Sequence, residues 1–346
     1  MGECPYGGMP LLGQELNNHR YLTGKIQQSV ADSARYESIT TREVSEMITM
    51  EHVCKSYKIA KRNAGFKEAC KALFHRETEE IRALSDVSFQ IDDGEMVGYI
   101  GPNGAGKSST IKILSGILVP DSGNCIIDGR SPWKNRVEHV RQIGVVFGQR
   151  SQLWWDIPVI DSFELLKEIY SIATPDYKRT LEELTELLQL QEILRTPTRQ
   201  LSLGQRMRCE IAASLLHNPK LLFLDEPTIG LNAVSKLAVR EFIKKQNAEH
   251  GTTVILTTHD MQDIEAIANR VILIGKGRIL LDGTLEDMRK TVQETEAQTA
   301  VMQESEATDA TEKVATTSGT EQSTDDKAKE NLDQVVARLY RQLDIL

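Results

Sequence analysis

The most constraining feature of the sequence is a glycine-rich loop between an apolar run and a segment with helical spacing. Residues 101–108 read Gly-Pro-Asn-Gly-Ala-Gly-Lys-Ser and follow the apolar run 96–100. They fit the pattern GxxxxGK[ST], in which glycines allow backbone N–H groups to approach phosphate oxygens closely. A chance match in a chain of this length has a frequency of roughly 1%. The sequence therefore predicts a strand, a phosphate-binding loop and a helix in that order.

The residue types in this phosphate loop, Gly101–Ser108, suit the binding of a nucleoside triphosphate. Lys107 would neutralise the β- and γ-phosphates, and the Ser108 hydroxyl would ligate Mg²⁺. The helix that begins here directs its positive end at the same charge. We therefore expect ATP and Mg²⁺ as ligands. The residues expected to contact the nucleotide here are Gly101, Pro102, Asn103, Gly104, Ala105, Gly106, Lys107, Ser108 and Ser109.

A second chemical feature is the acidic pair Asp225 and Glu226, which follows the apolar run 221–224. Such a run is typical of a buried parallel strand, and ligands bind at the carboxyl ends of these strands. Asp225 can hold Mg²⁺ through water, and Glu226 is placed to orient or deprotonate an attacking water molecule. Apolar runs that end in acids are common, so the acidic pair alone is weak evidence for a site.

Short apolar runs alternate with helical patterns and predict an α/β fold with a parallel sheet and crossover helices. Strands are predicted at 48–57, 83–91, 95–100, 221–224, 254–257 and 271–274, and helices at 106–117, 162–172 and 179–194. No run reaches the roughly 20 apolar residues of a membrane-spanning helix. The N-terminus lacks the charged and apolar regions of a signal peptide.

The five cysteines show no CxxC spacing, which suits a reducing cytoplasm and argues against metal ligation. Residues 1–46 are polar and weakly patterned, so we expect a disordered extension; translation could equally begin at the methionines within 47–50. Residues 291–326 carry nine acids and one base, a net charge of −8 out of −9 for the chain. We therefore expect a disordered acidic linker over 289–329, followed by an amphipathic helix over 330–346.

Several further motifs make the sequence resemble the ATP-binding cassette (ABC) ATPases. Leu-Ser-Leu-Gly-Gln at 201–205, here called the signature turn, is similar to the Leu-Ser-Gly-Gly-Gln signature of that family. Gln149 stands at the family's Q-loop position, His259 at its switch histidine, and Tyr57 where an aromatic ring stacks on adenine. Gly230–Asn232 matches the D-loop. The motifs occur in the family's order, and the resemblance covers about residues 48–288.

The resemblance implies a P-loop NTPase core with a mostly parallel sheet, an N-terminal antiparallel β subdomain and an inserted α-helical signature subdomain. The nucleotide-binding domain would span 47–288, with the helical subdomain at 150–215. In this family two such domains pack head to tail, and ATP lies between the phosphate loop of one domain and the signature of the other.

The resemblance also implies roles for individual residues. Ser202, Gly204 and Gln205 would contact the nucleotide from across the dimer interface. Gln149 would sense Mg²⁺ and the membrane subunit, and His259 would hold the γ-phosphate and the attacking water. The implied catalytic set is Lys107, Gln149, Glu226 and His259, and the implied Mg²⁺ set is Ser108, Gln149 and Asp225.

Two positions depart from the family pattern. Leu203 replaces a signature glycine at a position that tolerates variation. Asn232 replaces the D-loop aspartate, which removes a charge where the two active sites communicate. Since no catalytic residue is missing, the sequence favours active hydrolysis over a degenerate cassette.

A single cassette without a long heptad run favours a transporter subunit over the soluble cassettes of ribosome rescue and DNA repair. The expected partners are a second copy of the chain and separate membrane-spanning permease subunits, with no nucleic acid. The chain would then lie at the cytoplasmic face of the membrane. Trp154 and Trp155, close to Gln149, fit an anchor for the membrane subunit. Packing within the helical subdomain is the alternative.

An insertion between Tyr57 and Gly101 contains an amphipathic pattern over 64–76 with seven basic residues in and around it. Similar basic insertions occur in cassettes of drug, lipid and polysaccharide exporters, so we favour an exporter. The insertion is expected to form a helix at the membrane interface or, alternatively, a helix packed on the cassette. An importer subunit and a soluble ABC regulator remain the competing functions.

Overall fold

The computed structural model describes residues 46–60, 78–148, 150–291, 335–338 and 340. Several expectations therefore lie outside the described residues: the extension before residue 46, the insertion helix at 64–76, Gln149 and nearly all of the acidic linker. Of the C-terminal segment, residues 335–338 and 340 are helical. Among the described residues, no helix combines the length and apolar character needed to cross a bilayer.

The main sheet has six strands in the order β5-β6-β7-β3-β8-β9. Its first five strands run parallel, and β9 pairs antiparallel with β8 at one edge. This confirms the predicted α/β class, although β9 was not predicted. The six strands are β3 (Met96–Ile100), β5 (Ile143–Phe147), β6 (Leu221–Asp225), β7 (Thr253–Thr257), β8 (Arg270–Gly275) and β9 (Arg278–Gly283).

A smaller antiparallel sheet contains β1 (Glu46–Ala60), β2 (Thr78–Asp92) and β4 (Ser122–Ile127), with β1 in the centre. The first two strands are longer than predicted, because they continue as a hairpin beyond Tyr57 until Ala60 pairs with Thr78. This hairpin carries the start and the end of the insertion. The expected antiparallel β subdomain is therefore present.

Helices cover the main sheet and connect its strands. They are α1 (Lys107–Leu114), α2 (Arg136–Val140), α3 (Val159–Tyr170), α4 (Thr174–Leu187), α5 (Leu203–Leu215), α6 (Ala233–His250), α7 (Met261–Ile267) and α8 (residues 285–291). The prediction of one helix over 179–194 is wrong at both ends. Its C-terminal error has a local cause, since Gln189 adopts a left-handed φ of 52° and ends the helix. Leu188 and Leu190 are nevertheless buried, so the apolar spacing continues where the helix does not.

The main sheet separates two hydrophobic cores, and β6 shows how the sequence achieves this. Because successive side chains of a strand point to opposite faces, Leu221 and Phe223 enter one core while Leu222 and Leu224 enter the other. The first core also contains the small sheet and α1, and the second contains helices α3 to α7. The strand that ends in the acidic pair is therefore buried on both faces.

Candidate nucleotide site

Three neighbouring strands of the main sheet end in the predicted catalytic segments. β3 leads into the phosphate loop, β6 ends at the acidic pair, and β7 leads into Thr258–Asp260, here called the switch loop. These strands are adjacent and parallel in the order β6-β7-β3, so their carboxyl ends meet at one edge of the sheet. The topology thereby brings together segments more than 150 residues apart, at the place where α/β sheets bind ligands.

The phosphate loop adopts a conformation that requires its glycines. A Cβ atom at Gly101 would lie 2.3 Å from the carbonyl oxygen of Ile274. Gly106 has a φ of 117° and approaches the backbone of Ala83, so a side chain there would be both strained and blocked. Gly106 is also the N-cap of α1, and no side chain caps this helix. The first turn of α1 is therefore arranged to receive an anion rather than a capping side chain.

Lys107 places a buried ammonium group inside this loop. Its Nζ donates to the carbonyl oxygens of Gly101 at 2.5 Å and Pro102 at 3.1 Å. Burial lowers the pKa of Lys107, while the negative charges of Glu226 and Asp225 oppose that shift. The cation of the phosphate loop and the acidic pair therefore belong to one electrostatic site.

The acidic pair is fixed mainly by β7. Thr257 Oγ1 donates to Asp225 Oδ1 at 2.5 Å, and the Glu226 N–H donates to the Thr257 carbonyl oxygen at 2.9 Å. Glu226 has a φ of 55°, an uncommon value for a residue other than glycine. Strained backbone positions cluster at functional sites and persist only where surrounding interactions hold them. Here the hydrogen bond between the Glu226 N–H and Thr257 provides such an interaction.

Glu226 and His259 form the contact at which hydrolysis chemistry can occur. His259 Nε2 lies 2.9 Å from Glu226 Oε1, and both side chains are partly open to solvent. They line an open pocket of about 420 Å³ together with the D-loop and residues of the switch loop. A carboxylate and an imidazole in such a pocket can hold and orient a water molecule and accept its proton.

Comparison with known proteins agrees with this geometry. A family model described as ABC transporter matches residues 84–229. The ABC transporter ATP-binding protein NatA of Bacillus subtilis is 30% identical over 63% of this chain and 89% of that protein. The chain belongs to the ABC transporter family. It is the ATP-binding subunit of a transporter.

Two further relatives have different transport functions in their names. The linearmycin resistance ATP-binding protein LnrL of B. subtilis is 34% identical over 59% of this chain and 65% of that protein. The methionine import ATP-binding protein MetN 2 of Enterococcus faecalis is 33% identical over 68% of this chain and 69% of that protein. Relatives of this cassette therefore include a resistance protein and an import protein.

The fold also matches a cassette solved after hydrolysis. A dimeric structure of a post-hydrolysis state of the cassette MJ0796, bound to ADP and Pi, superimposes with a TM-score of 0.58. It is 27% identical and covers 69% of this chain and 99% of that one. This cassette is accordingly an ABC ATPase. Cassettes of this family bind ATP and work as dimers with membrane permease subunits.

Residues of the signature turn cap the helix that follows them. Ser202 Oγ accepts from the Gln205 N–H at 3.3 Å, and Gln205 Oε1 accepts from the Ser202 N–H at 2.9 Å. This capping box stabilises the start of α5. Within the described residues, no hydrogen bond or ion pair joins the signature turn to the phosphate loop. Its predicted contact with ATP across a dimer interface stays a prediction.

The two departures from the family pattern have structural roles. The Leu203 side chain lies against Gly230, where an added Cβ atom would come within 2.4 Å of it, so the signature turn packs on the D-loop of the same chain. Asn232 caps α6, since its Oδ1 accepts from the Ser235 N–H at 2.8 Å. Asparagine and aspartate cap helices about equally well, so this substitution keeps the local structure while removing the charge.

The structure places Tyr57 beside the helix of the phosphate loop. Its hydroxyl lies 3.2 Å from Ser109 Oγ, and its ring is partly exposed. Asp121 holds the strand just before it, by accepting from Lys55 Nζ and the Ser56 N–H, each at 2.6 Å. The position is compatible with the predicted stacking on adenine.

The residues around the site fit Mg²⁺ as a partner of ATP. Ser108 is exposed on the first turn of α1, and Asp225 offers a carboxylate beside Lys107. Hydroxyl and carboxylate oxygens are the ligands that Mg²⁺ prefers. Gln149, the third predicted ligand, lies outside the described residues.

Sequence reasoning missed two buried carboxylates that hold neighbouring segments in place by hydrogen bonds. Buried Glu210, on α5, accepts from the Ser151 hydroxyl and from the Gln152 N–H at 3.1 Å, and burial raises its pKa. Buried Asp263, on α7, accepts hydrogen bonds from three other segments. The only available signal was an acidic residue at an apolar helical position, which does not reveal its partners.

Proposed function

We propose that this chain energises an exporter, as one of two identical cassettes bound to the cytoplasmic face of separate membrane-spanning subunits. The geometry of the site supports a role for each of its residues. Lys107 and the N-terminus of α1 bind the β- and γ-phosphates, and Glu226 with His259 orients and deprotonates the attacking water. Ser108 and Asp225 would hold Mg²⁺, which would neutralise charge on the phosphates.

The observation that carries the partner assignment is the exposed pair Trp154 and Trp155. Their side chains are 41% and 52% exposed, so each offers a large apolar surface to a partner, while the guanidinium of Arg206 lies 6.0 Å from the centroid of the Trp155 ring. Clustered tryptophans are frequent anchors of protein interfaces. The loop that presents them is rigid, since Glu210 binds Ser151 and Gln152, and Ser162 Oγ accepts from the Trp154 N–H at 3.2 Å.

The direction of transport rests on a different kind of support. The relative named for linearmycin resistance and the exporter-like basic insertion favour export. The relative named for methionine import favours the opposite direction. Import is therefore the second candidate function.

Direction can be tested with the full chain and its co-purified membrane partner in proteoliposomes. With the cassettes facing outward and ATP added outside, an exporter accumulates a lipophilic amphiphile, such as a fluorescent dye of a test panel, in the lumen. The Glu226→Gln variant serves as the inactive control. ATP-dependent movement of a preloaded solute out of the lumen would identify an importer. Failure to recover any membrane protein with the tagged chain would contradict both candidates.

A further inference from the structure

Asp263 is a buried carboxylate that joins three segments around the hydrolysis site. Its side chain is 0% exposed, although α7 lies close to the pocket. Oδ2 accepts from the hydroxyl of Thr228 and from Thr258 Oγ1, the latter at 3.2 Å. Oδ1 accepts from Arg240 Nε of α6 at 2.6 Å. One carboxylate therefore contacts the segments that follow β6 and β7 and the helix that follows the D-loop.

The two threonines connect Asp263 to the catalytic pair. Thr228 lies two residues after Glu226, and Thr258 immediately precedes His259. Both threonines are buried, with exposures of 2% and 3%. Thr258 Oγ1 also accepts from the Asp260 N–H at 3.0 Å, so the switch loop folds around this hydroxyl. A shift of either threonine would change the 2.9 Å separation between Glu226 and His259.

Stability alone does not account for a charge at this position. A buried ion pair is often no more stabilising than apolar residues of the same volume, because both ions lose their hydration. A fully hydrogen-bonded polar network does, however, fix the geometry of the groups that it joins. Each oxygen of Asp263 has a donor, and those donors come from the segments whose relative position matters for hydrolysis.

We propose that Asp263 is a positioning residue for ATP hydrolysis, which holds Glu226 and His259 at their working separation through Thr228 and Thr258. The proposal rests on the roles given above to those two residues. Asp263 itself is fully buried, so it is not expected to contact ATP or the attacking water. Its removal should therefore lower the rate of the chemical step and leave nucleotide binding unchanged.

The test measures kcat and KM for ATP in full-length variants. Asp263→Asn keeps the shape of the side chain and should lower kcat by about 10-fold or more, because small misplacements of catalytic groups are costly. KM should stay within about 2-fold of wild type, as expected for loss of transition-state stabilisation only. Glu265→Gln, on the same helix but in an exposed ion pair with Arg289, is the matched control and should leave both constants unchanged.

The threonines provide a second and independent measurement, which also covers failure of Asp263→Asn to fold. Thr228→Val and Thr258→Val should each lower kcat. Thr228→Ser and Thr258→Ser keep the hydroxyl and should therefore have a kcat close to that of the wild type. Combined with Asp263→Asn, the valine variants should add little further loss. Wild-type kcat in Asp263→Asn, or equal losses in the valine and serine variants, would overturn the proposal. Glu226→Gln and His259→Ala, assayed in parallel, test the catalytic roles separately.

Discussion

The phosphate loop and the signature turn both precede a helix, yet they differ in how their helix starts are satisfied. The start of α1 has no side-chain cap, and Lys107 lies buried behind it. The start of α5 carries a complete capping box, and Ser202 is exposed. The uncapped N–H groups at the start of α1 can bind the phosphates of a nucleotide held by the same chain. The signature turn has its helix start satisfied by its own residues, and its predicted contact is with a nucleotide bound to another copy of the domain.

If the signature turn binds ATP in a second copy of the domain, as predicted, one sequence supplies two half-sites: the phosphate half around the phosphate loop and the signature half around the signature turn. A capped signature helix keeps its structure in the monomer, so dimerisation does not have to fold it. Because Ser202 Oγ only accepts in the cap, its hydroxyl hydrogen could still be donated to a phosphate oxygen while the bond from the Gln205 N–H is kept.

Glu226→Gln should affect the phosphate half most strongly. Loss of the group that orients or deprotonates water should lower steady-state turnover by on the order of 10²-fold or more. ATP binding should persist, and an ATP-bound dimer should accumulate, measurable by light scattering. Glu249→Gln, at the exposed end of α6, is a control that should behave as wild type. Wild-type turnover in Glu226→Gln would remove this residue from the chemistry.

Acidification should lower the free energy of unfolding of the cassette through His217, which follows α5, the helix of the signature turn. His217 Nε2 donates to the Ile143 carbonyl oxygen at 2.9 Å, its ring stacks on Tyr170, and Nδ1 has no partner. Burial lowers the pKa of His217 to about 4 from 6.5. The unfolded chain therefore binds the proton first, so stability is complete above pH 6.5 and falls as the pH drops towards 4.

The expected loss from His217 between pH 6.5 and pH 5 is about 2 kcal/mol in the free energy of unfolding. Urea unfolding at several pH values, compared with His217→Gln, isolates this contribution from those of other groups. The difference between the two proteins should change over this range. Parallel curves would show that His217 does not titrate as described.

Ser202→Asp tests the signature turn itself. Aspartate is a strong N-cap, so α5 and the melting temperature should be preserved. A carboxylate facing the γ-phosphate should lower ATPase activity by on the order of 10-fold, because like charges repel across an interface. Ser202→Ala should instead lower the free energy of unfolding by about 1 kcal/mol, because the helix cap is lost. Full activity in Ser202→Asp would mean that this residue does not face ATP.

Tyr57→Phe should have the smallest effect. The ring is retained and only the contact with Ser109 is lost, so KM for ATP should change by less than about 2-fold. Tyr57→Ala removes the ring and should raise KM, since base stacking contributes roughly 1–3 kcal/mol in nucleic-acid systems. Equal effects of both substitutions would show that the hydroxyl, rather than the ring, matters here.

The sequence predicted the parts of the fold that depend on local pattern. The phosphate loop and the apolar strands β6, β7 and β8 lie where the pattern placed them, because buried parallel strands are short continuous apolar runs. β4 and β9 were missed, since edge strands with exposed residues do not form such runs. The long helix α6 was missed as well, because only Val239, Phe242, Ile243 and Gln246 of its residues are buried.

The site residues were predictable from the sequence where the chemistry requires a particular type of residue in a known motif. Lys107, Asp225, Glu226 and His259 occur in recognisable motifs, and the sheet brings them together. The supporting carboxylates were not predictable in the same way. Ser151 and Glu210 are 59 positions apart, and Thr228 and Asp263 are 35 apart, so only the folded chain shows that they meet. Their partners are common polar residues without a motif.

The extended hairpin of the small sheet bears on how such proteins diversify and can be engineered. Ala60 and Thr78 are paired neighbours, so the two chain positions that flank residues 61–77 lie next to each other in the sheet. Closing a loop there costs only about 0.6 kcal/mol more for each doubling of its length. A segment of different length or charge could therefore replace it without displacing any catalytic strand. The paired ends Ala60 and Thr78 are therefore a natural place to graft a reporter, a recognition peptide or the corresponding segment of another transporter.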